Sequence, residues 1–271
     1  MGGFSADWLR LREPCDARSR SEELVFALRS RLPSRPVRAL DLGTGLGSNI
    51  RYMAPRLAGE QHWLAVDNDA ALIKQQPAVL RGANFQCSVS PHELDLAADL
   101  RSLPLSGCQF VTASALLDLV SASWLQSLAS QCAQARAAVL FALNYDARVE
   151  CLPHEPDDDW LIGLVNRHQR GDKGFGPALG PDATRRASEV FASVGFQWRI
   201  AASDWSIEPG ERALQRELIE GWVGAAREIA PAEAERIERW GRRRNDHLLA
   251  GTSRILVGHQ DFVAWPIAPG E

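Results

Sequence analysis

A glycine-rich loop constrains this chain more than any other feature of its sequence. The loop, Asp41-Leu-Gly43-Thr-Gly45-Leu-Gly47, follows an apolar run at 37–42 that predicts a buried strand, and apolar residues at helical spacing come after it. Because glycine has no Cβ, such a loop allows positive φ angles and lets a ligand approach the backbone closely. The segment is therefore predicted to be a strand, a ligand-binding loop and a helix in succession.

The alternation of apolar runs and helical patterns continues along much of the chain. Alternating strands and helices are typical of a parallel α/β sheet that is covered by helices on both faces. Helical patterns also precede the first strand, in residues 1–36, and lie before the last strand, in residues 208–250. Beyond the first strand, we predict strands at 62–66, 85–89, 110–113, 138–143, 196–202 and 254–257.

The composition narrows the possible classes of protein. With 271 residues, of which 45% are hydrophobic, the chain can bury a full core as one large domain or as one domain with insertions. A net charge of -4 does not provide the basic field that grips nucleic acid. The five cysteines form no CxxC pair and are predicted to be free thiols in a reducing compartment. No apolar run approaches the ~18 residues that a membrane span needs, so we predict a cytoplasmic protein without nucleic-acid or membrane partners.

Two kinds of ligand compete for the glycine loop. A nicotinamide dinucleotide site has the pattern Gly-x-Gly-x-x-Gly, whereas the third glycine here, Gly47, comes one position earlier. Asp41 stands at the end of the strand, where its carboxylate would repel a pyrophosphate and attract an ammonium group. S-adenosylmethionine (SAM) carries an amino-acid end and no phosphate. The acid therefore favours SAM over a dinucleotide.

The loop and the acids that follow it resemble the motifs of class I SAM-dependent methyltransferases, of the bacterial small-molecule type. The resemblance implies a Rossmann-like, doubly wound sheet of seven strands, mostly parallel with an antiparallel last strand. Asp67 ends the second strand, where the family holds the two ribose hydroxyls of SAM with an acid. Asp95 or Asp99 falls where the family binds the adenine amino group; we prefer Asp95, although either acid could be a helix cap. The match covers residues 37–145 and fades outside them.

The resemblance also implies a set of cofactor-binding residues. Leu96 would supply a backbone N–H to the adenine, and Ser114 follows the fourth strand, where family members line the sulfonium. Arg18 lies in a segment that looks like the N-terminal cover of small-molecule members; it either pairs with the SAM carboxylate or is a surface arginine. The full set is Arg18, Asp41, Gly43, Thr44, Gly45, Gly47, Asn49, Asp67, Asn68, Asp95, Leu96 and Ser114.

Methyl transfer from a sulfonium is an in-line displacement that depends mainly on positioning the nucleophile. Where the nucleophile is a hydroxyl or a protonated amine, a base must also take its proton. Nucleophiles in this fold approach over the carboxyl ends of strands four and five. The candidates there and in the later segments are Asp118, Tyr145 and His168 for catalysis, and Asn144, Tyr145, His168, Asp172 and Trp205 for substrate binding, with no metal site. His168 is alternatively a structural histidine.

Two segments are predicted insertions in a SAM-binding domain that spans 37–271, behind a helical cover at 1–36. Segment 144–181 is rich in Gly, Pro, Asp and His, which favours a lid over the substrate or, alternatively, a surface excursion. Segment 208–250 predicts two helices that form either a cap over the substrate or a dimer surface.

Two runs of like charge lie in these insertions. The arginines at 242–244 come late in a predicted helix, which favours a solvated helix end over a nucleic-acid patch. The aspartates at 157–159 are predicted to be solvated or to cap a helix rather than to bind a metal. Neither run is therefore predicted to bind a ligand.

These features together predict a SAM-dependent methyltransferase that acts on a small-molecule acceptor, and they leave a homodimer open. The acceptor atom, whether oxygen, nitrogen or carbon, does not follow from the sequence, because a fold does not fix a function. The alternatives are an RNA or protein methyltransferase and a SAM-binding protein without turnover. A nicotinamide-dependent oxidoreductase is a more remote one.

Overall fold

The structure, a computed structural model, describes residues 5–33, 36–80 and 87–267 of the chain. Its strands are β1 (Val37–Leu42), β2 (Gln61–Asp67), β3 (Cys87–Glu93), β4 (Phe110–Ser114), β5 (Ala138–Leu152), β6 (Phe196–Ala202), β7 (Trp205–Ile207) and β8 (Arg254–Pro266). Within the described ranges these eight strands form one sheet in the order β3-β2-β1-β4-β5-β8-β6, with β7 paired to β8 beside this path. The start of the predicted third strand, residues 85–86, lies outside the described residues.

The direction of the strands confirms the predicted architecture. Strands β3, β2, β1, β4 and β5 are parallel neighbours, and β8 runs antiparallel between β5 and β6. The sheet is thus Rossmann-like and mostly parallel, with an antiparallel last strand. The short strand β7 was not predicted; it pairs with β8 from Trp205 opposite Val257 to Ile207 opposite Ile255.

Helices cover both faces of the sheet. They are α1 (Ala6–Ser19), α2 (Glu22–Arg29), α3 (Ser48–Met53), α4 (Ala70–Leu80), α5 (Ala122–Ala135), α6 (Asp158–Gln169), α7 (Ala183–Ser193), α8 (Arg212–Ile229) and α9 (Ala234–Ala250). Three of them begin at a serine whose hydroxyl accepts from a backbone N–H in the first turn: Ser5 for α1, Ser21 for α2 and Ser121 for α5. Such caps satisfy donors that have no partner inside the helix.

Strand β1 illustrates how the core is divided between the two faces. Val37 and Ala39 belong to one buried cluster, and Leu40 and Leu42 belong to the other. Side chains alternate between the faces of a strand, and a strand covered on both sides is apolar throughout. The near-continuous apolar run that predicted β1 therefore reports its place at the centre of the sheet.

Segment 144–181 is more regular than the sequence suggested. Strand β5 continues to Leu152, because residues up to that point pair with β8, and helix α6 follows at Asp158–Gln169. The outer part of β5 alternates half-buried and exposed residues, which hides its strand character in a search for apolar runs. The loop in the predicted lid segment is therefore only the part between α6 and the next short helical turn, 170–179.

The charge runs at 157–159 and 242–244 bind each other. Arg244 is fully buried, and its Nη2 donates to Asp158 Oδ2 at 2.7 Å and to the Pro153 carbonyl at 2.7 Å. Arg243 donates to Asp157 at 2.7 Å, and Trp240 Nε1 donates to Asp158 Oδ1 at 2.7 Å. Asp157 stands at the N-cap position of α6, which is the capping alternative, and Asp159 and Arg242 are exposed as predicted. Arg244 is buried, contrary to the predicted solvated helix end, because Asp158 supplies its partner. The pairs hold α9 against the start of α6.

No helix in residues 5–33, 36–80 and 87–267 combines the length and the apolar character that crossing a membrane requires. The five cysteines are free thiols, as predicted, and four of them are buried.

Candidate cofactor and substrate site

The glycine loop turns sharply between β1 and α3. Gly43, Gly45 and Gly47 have φ angles of +62°, +53° and +79°, in the left-handed region that favours glycine. The N–H of Thr44 donates to the Val66 carbonyl at 3.0 Å, which ties the loop to the end of β2. All three glycines of the motif are thus required by backbone geometry.

Asp67 lies directly beside this loop. Its Oδ2 accepts from the N–H of Gly45 at 2.7 Å, and its Oδ1 accepts from the N–H of Asp69 at 3.0 Å. A carboxylate has about four acceptor positions, so each oxygen can take a further donor. The arrangement can receive two neighbouring hydroxyl groups, which is what the two ribose hydroxyls of SAM offer.

Asp41 is fully buried beneath the loop. Its Oδ1 accepts from Asn49 Nδ2 at 2.5 Å, and Asn49 Oδ1 accepts from Arg20 Nη1 at 2.6 Å. Burial raises the pKa of Asp41 to about 6. Among the described residues, its Oδ2 has no hydrogen-bond partner. A buried acceptor of this kind can take a donor from a ligand, and an ammonium group suits its charge.

Two arginines near the start of α2 have different roles. Arg18 Nη2 donates to Glu211 at 2.6 Å and to the Ser206 carbonyl at 3.1 Å, so it ties α1 to the start of α8. Arg20 is buried and lines a small cavity of about 180 Å³. The other lining residues are Glu13, Asp16, Ala17, Ser48, Asn49, Arg51, Tyr52, Arg56 and Ser114. The structure therefore brings Arg20, and not Arg18, to the glycine loop.

Sequence reasoning missed Arg20. It stands beside Arg18 and Ser21 in a polar stretch, and no pattern there shows which arginine is buried. The expected pairing of Arg18 with the cofactor is not supported by its position, because its guanidinium is engaged with an acid on another helix.

The adenine candidates lie farther along the same edge of the sheet. Asp95 is exposed, and its Oδ1 accepts from the N–H groups of Ala97 at 2.9 Å and Ala98 at 3.4 Å, which is the capping role that we left open. Leu96 is buried, and its carbonyl accepts from Trp124 Nε1 at 2.7 Å. Asn68 is exposed in the bend after Asp67. Their contacts with a cofactor stay predictions.

Helix α1 lies over the glycine loop. A Cβ added to Gly45 would be 3.0 Å from Leu9 Cδ1, and one added to Gly43 would be 3.6 Å from Leu116 Cδ1. Glu13 of the same helix pairs with Arg51 of α3 at 2.6 Å. The N-terminal cover is thus in direct contact with the loop that it was predicted to cover.

A second cavity, of about 470 Å³, opens at the carboxyl ends of β4 and β5. It contains four of the predicted residues, Asp118, Tyr145, His168 and Trp205, at its wall. The other residues in the wall are Trp8, Arg12, Ala115, Leu119, Leu143, Val165, Gln169, Lys173, Glu217, Leu218, Gly221, Trp222, Ala225, Val257 and His259. Helices α1, α6 and α8 therefore close the cavity, and the insertion at 208–250 acts as part of its wall through α8.

Two predicted substrate residues do not belong to this wall. Asn144 is fully buried in β5, and its Nδ2 donates to the carbonyls of Phe141 at 3.0 Å and Gln260 at 2.9 Å. Asp172 is exposed, and its Oδ1 accepts from the N–H groups of Gly174 and Gly176, so it shapes the loop. Both side chains make hydrogen bonds within the protein, and their contacts with a substrate stay predictions.

Asp118 follows β4 and faces the cavity. Asp118 is only 8% exposed, and this burial raises the pKa of its carboxyl group to about 6. In the part of the chain that the structure describes, Asp118 Oδ1 has no hydrogen-bond partner. A carboxylate in this state can accept a proton near neutral pH.

Tyr145 and His168 are less free. Tyr145 Oη donates to Asn166 Oδ1 at 2.8 Å, and burial raises the pKa of its phenol. His168 Nε2 lies 3.0 Å from Glu228, and its Nδ1 lies 3.0 Å from Lys173 Nζ. The polar atoms of these two predicted catalytic residues thus already have protein partners, which favours positioning roles.

His259 in β8 is a wall residue that sequence reasoning did not assign to the site. Its Nδ1 lies 3.0 Å from the Val257 carbonyl, which can only accept, so Nδ1 carries the proton. Burial lowers the pKa of His259 to about 3, and the ring is therefore neutral. The ring centroid lies 5.1 Å from that of Trp205.

The backbone at the entrance to the cavity is strained. Ala115 follows β4 with a φ angle of +53°, and Leu143 lies in β5 with a φ angle of +56°. Residues with a Cβ seldom adopt this conformation, and such outliers cluster at functional sites. Both residues are part of the cavity wall, where a nucleophile would approach the glycine loop.

In the ranges that the structure describes, no three His, Cys, Asp or Glu side chains are grouped so as to hold a metal ion.

The chain is similar to known proteins in fold alone. No protein family model matches it, and no curated protein matches it in sequence. The cyclopropane synthase MmaA2 from Mycobacterium tuberculosis is 12% identical, with a TM-score of 0.52 over 97% of this chain and 94% of that chain. The mycolic acid cyclopropane synthase CmaA1, in a complex with SAH and CTAB, is 10% identical, with a TM-score of 0.54 over 96% of this chain and 94% of that chain.

A third solved structure, the YcgJ protein from Bacillus subtilis, is 13% identical, with a TM-score of 0.51 over 90% of this chain and 98% of that chain. At these identities the similarity establishes the fold, which is the Rossmann-like fold that these proteins share. The similarity does not establish that this chain shares their ligands or reactions.

Proposed function

We propose that this protein is a class I SAM-dependent methyltransferase that transfers a methyl group to a small molecule. The observation that carries the proposal is one continuous edge of the sheet. There, the glycine loop with Asp41 and Asp67 lies against Leu9 of α1, and the adjacent residue Trp8 lines a mostly apolar cavity whose buried acid is Asp118. The fold agrees with this function, since a solved structure of the same fold is a complex with SAH, the product form of SAM.

The residues around the loop fit SAM in three respects. The free Oδ2 of Asp41, which has no partner in the described residues, suits the ammonium group of the amino-acid end. The remaining acceptor positions of Asp67 suit the two ribose hydroxyls. Arg20 Nη1 and the Asn49 side chain border the small cavity beside them, where a carboxylate would find a cation. We therefore assign Arg20 the role that the sequence gave to Arg18.

SAM, when bound, would supply an electrophilic methyl group on a sulfonium. The chain's own residues then position the acceptor and remove its proton. Asp118 is the base in this proposal, because it lies at the end of β4 and its Oδ1 is free to accept. Trp8, Trp205 and Trp222 line the cavity and exclude water from it.

The substrate, the location and the domain organisation of the protein follow from the same proposal. We infer a free small-molecule substrate, because the cavity is lined by α1, α6 and α8 and is mostly apolar. Five free thiols are consistent with a cytoplasmic location in a bacterium. The segments 1–36, 144–181 and 208–250 are then a cover and two insertions around one SAM-binding domain. A homodimer stays a prediction.

The first test is binding followed by transfer. We expect calorimetry to give a micromolar-range Kd for SAM and SAH, and labelled SAM to transfer its methyl group to a component of a bacterial metabolite extract. Absence of SAM binding would overturn the assignment. Binding without any labelled product from repeated extracts would favour a SAM-binding protein without turnover.

The second test addresses Asp118. Asp118→Asn keeps the shape of the side chain and removes the base, so we expect kcat/KM to fall by about 100-fold or more while SAM affinity is unchanged. Asp246→Asn, on the exposed side of α9, is the matched control and should leave both values unchanged. Full activity in Asp118→Asn would show that another group, or no base, takes the proton.

A further inference from the structure

The chemistry of the substrate follows from which polar groups in the cavity are already paired. A ligand binds best where it supplies the partners that the protein lacks, and buried polar groups without partners are costly. The cavity wall contains the cations Arg12 and Lys173, the anions Asp118 and Glu217, and two histidines, His168 and His259.

The cations of the wall have partners. Arg12 donates to Asp16 through Nε at 2.9 Å and through Nη2 at 3.2 Å, and its guanidinium lies 5.0 Å from the centre of the Trp205 ring. Lys173 Nζ lies 3.0 Å from Nδ1 of His168, whose other nitrogen contacts Glu228. An anionic ligand would therefore have to compete with Asp16, and it would also face Asp118.

A cationic ligand is also disfavoured. Arg12 and Lys173 both act on Asp118, since each lowers the pKa of its carboxyl against the larger effect of burial. A ligand cation placed at Asp118 would meet these two charges. The aromatic surface of Trp205, which could otherwise attract a cation, is already covered by Arg12. The second acid of the wall, Glu217, is exposed to solvent.

In the described part of the chain, two groups of the wall that lack partners are acceptors, and a third, Trp205 Nε1, is a donor. Asp118 Oδ1 has none among the described residues. His259 Nε2 must carry a lone pair, because Nδ1 holds the ring proton, and within the residues described it has no hydrogen bond. All three side chains line the same cavity, so the ligand should supply uncharged donors and one acceptor, and a hydroxyl group can be both.

The remainder of the wall is apolar. Leu119, Leu143, Val165, Leu218 and Trp222 line a cavity of about 470 Å³, a volume within the usual range for small-molecule sites. An aromatic or aliphatic body of two or three rings can be buried there.

We propose that the methyl acceptor is a neutral hydroxylated molecule with a largely apolar body, of the phenol class, whose hydroxyl donates to Asp118 and whose second donor, where present, reaches His259. The inference rests on the proposed function, because it names the substrate of that same site. In the reaction the hydroxyl oxygen forms a bond to the methyl carbon as the carbon–sulfur bond breaks, and the hydroxyl proton passes to Asp118. The products are a methyl ether and SAH.

The test compares three probes with one ring system and different polar groups: 2-naphthol, 2-naphthoate and 2-naphthylmethylammonium. Binding of each is measured by calorimetry at pH 7.5, with and without saturating SAH, and methyl transfer from labelled SAM is measured separately. We expect 2-naphthol to bind about tenfold more tightly than either charged probe and to be the one that is methylated. Equal or tighter binding of a charged probe, or no binding of any probe, would overturn the inference.

The failure of this inference is separable from failure of the proposed function. If the protein binds SAH but prefers a charged probe, the methyltransferase assignment stands and the substrate class is wrong. If 2-naphthol is preferred although SAH does not bind, the substrate class stands and the cofactor assignment is wrong.

A variant locates the preference in the cavity. His259→Phe removes the acceptor and keeps an aromatic ring beside Trp205. In the wild type we expect 2,3-dihydroxynaphthalene to bind more tightly than 2-naphthol, because its second hydroxyl can donate to His259. In His259→Phe we expect the two affinities to be equal. The ratio of the two affinities is measured within one variant and does not depend on the folded fraction. An unchanged ratio would contradict the role of His259.

Discussion

The glycine loop and the far wall of the cavity are stabilised by contacts of different range. Around the loop, the backbone N–H groups of Gly45 and Asp69 donate to the Asp67 carboxylate, within one strand–loop–helix unit and its neighbouring strand. In the far wall, α6 is held to α9 by ion pairs such as Asp158 with Arg244, whose partners are 86 positions apart in the sequence. The cofactor side of the molecule is therefore a local structure, and the substrate side is assembled from distant segments.

The largest expected effect tests the long-range side. Arg244→Met removes a fully buried cation and leaves the half-buried Asp158 without its cation beside Trp240, so we expect the free energy of unfolding to fall by about 3–5 kcal/mol. Urea denaturation followed by circular dichroism measures it. Arg242→Met, two positions earlier and exposed, is the control and should change stability by less than about 0.5 kcal/mol. Equal losses in both variants would show that the buried pair does not stabilise this wall.

The next effect tests the local side. Asp67→Ala removes the acceptor beside Gly45, and we expect SAM binding to weaken by about 100-fold because two hydroxyl partners are lost. Calorimetry with SAM measures it, and Asp246→Ala is the control. Binding of 2-naphthol without SAH should be unchanged, since Asp67 is not in the wall of that cavity. Normal SAM affinity in Asp67→Ala would disprove the ribose assignment.

The difference in range explains which parts of the molecule could be predicted. Asp41, Asp67 and the three glycines form a pattern of residue types at fixed spacing, and the structure brings them together as predicted. Strands that are buried on both faces can also be predicted, because they form apolar runs in the sequence. The half-exposed outer part of β5, by contrast, has no apolar run, and it was predicted as a loop.

Pairing partners could not be predicted in the same way. A sequence shows that Arg244 and Asp158 are charged, but it does not show that each one neutralises the other after folding. The same limit applies to Arg18 and Arg20, two positions apart, of which one contacts an acid on α8 and the other lies beneath the glycine loop. Asp118 was predicted to be catalytic from its position after β4. That its Oδ1 has no partner among the described residues follows only from the structure.

The two arginines provide a matched pair of variants. Arg20→Met removes the cation beside Asn49, and we expect SAM affinity to fall by about tenfold; Arg18→Met should leave it within about twofold. Calorimetry on both variants measures the difference, with thermal unfolding to exclude a loss of folded protein. The opposite ranking would return the carboxylate assignment to Arg18 and would weaken the view that the small cavity holds the amino-acid end.

The buried base Asp118 makes the free energy of unfolding depend on pH. Burial raises the pKa of Asp118 to about 6, above its ordinary value of 3.8, so the folded protein holds the proton more tightly than the unfolded chain. This contribution stabilises the fold fully at low pH and is lost as pH rises through 6. Asp118→Asn, which carries no charge at any pH, should therefore be more stable than the wild type by up to about 3 kcal/mol at pH 8, since a difference of one in pKa corresponds to about 1.4 kcal/mol.

That gain should disappear near pH 4, where the wild-type carboxyl is protonated in the folded state. Urea denaturation at the two pH values measures it, and Asp246→Asn, whose side chain is exposed, should show no such dependence. A variant that is more stable at pH 8 but inactive would mean that the acid is kept in the cavity at the expense of stability. If the stability difference between Asp118→Asn and the wild type is the same at both pH values, the carboxylate has adequate partners in the folded protein. The inference that it accepts from a substrate hydroxyl would then fail.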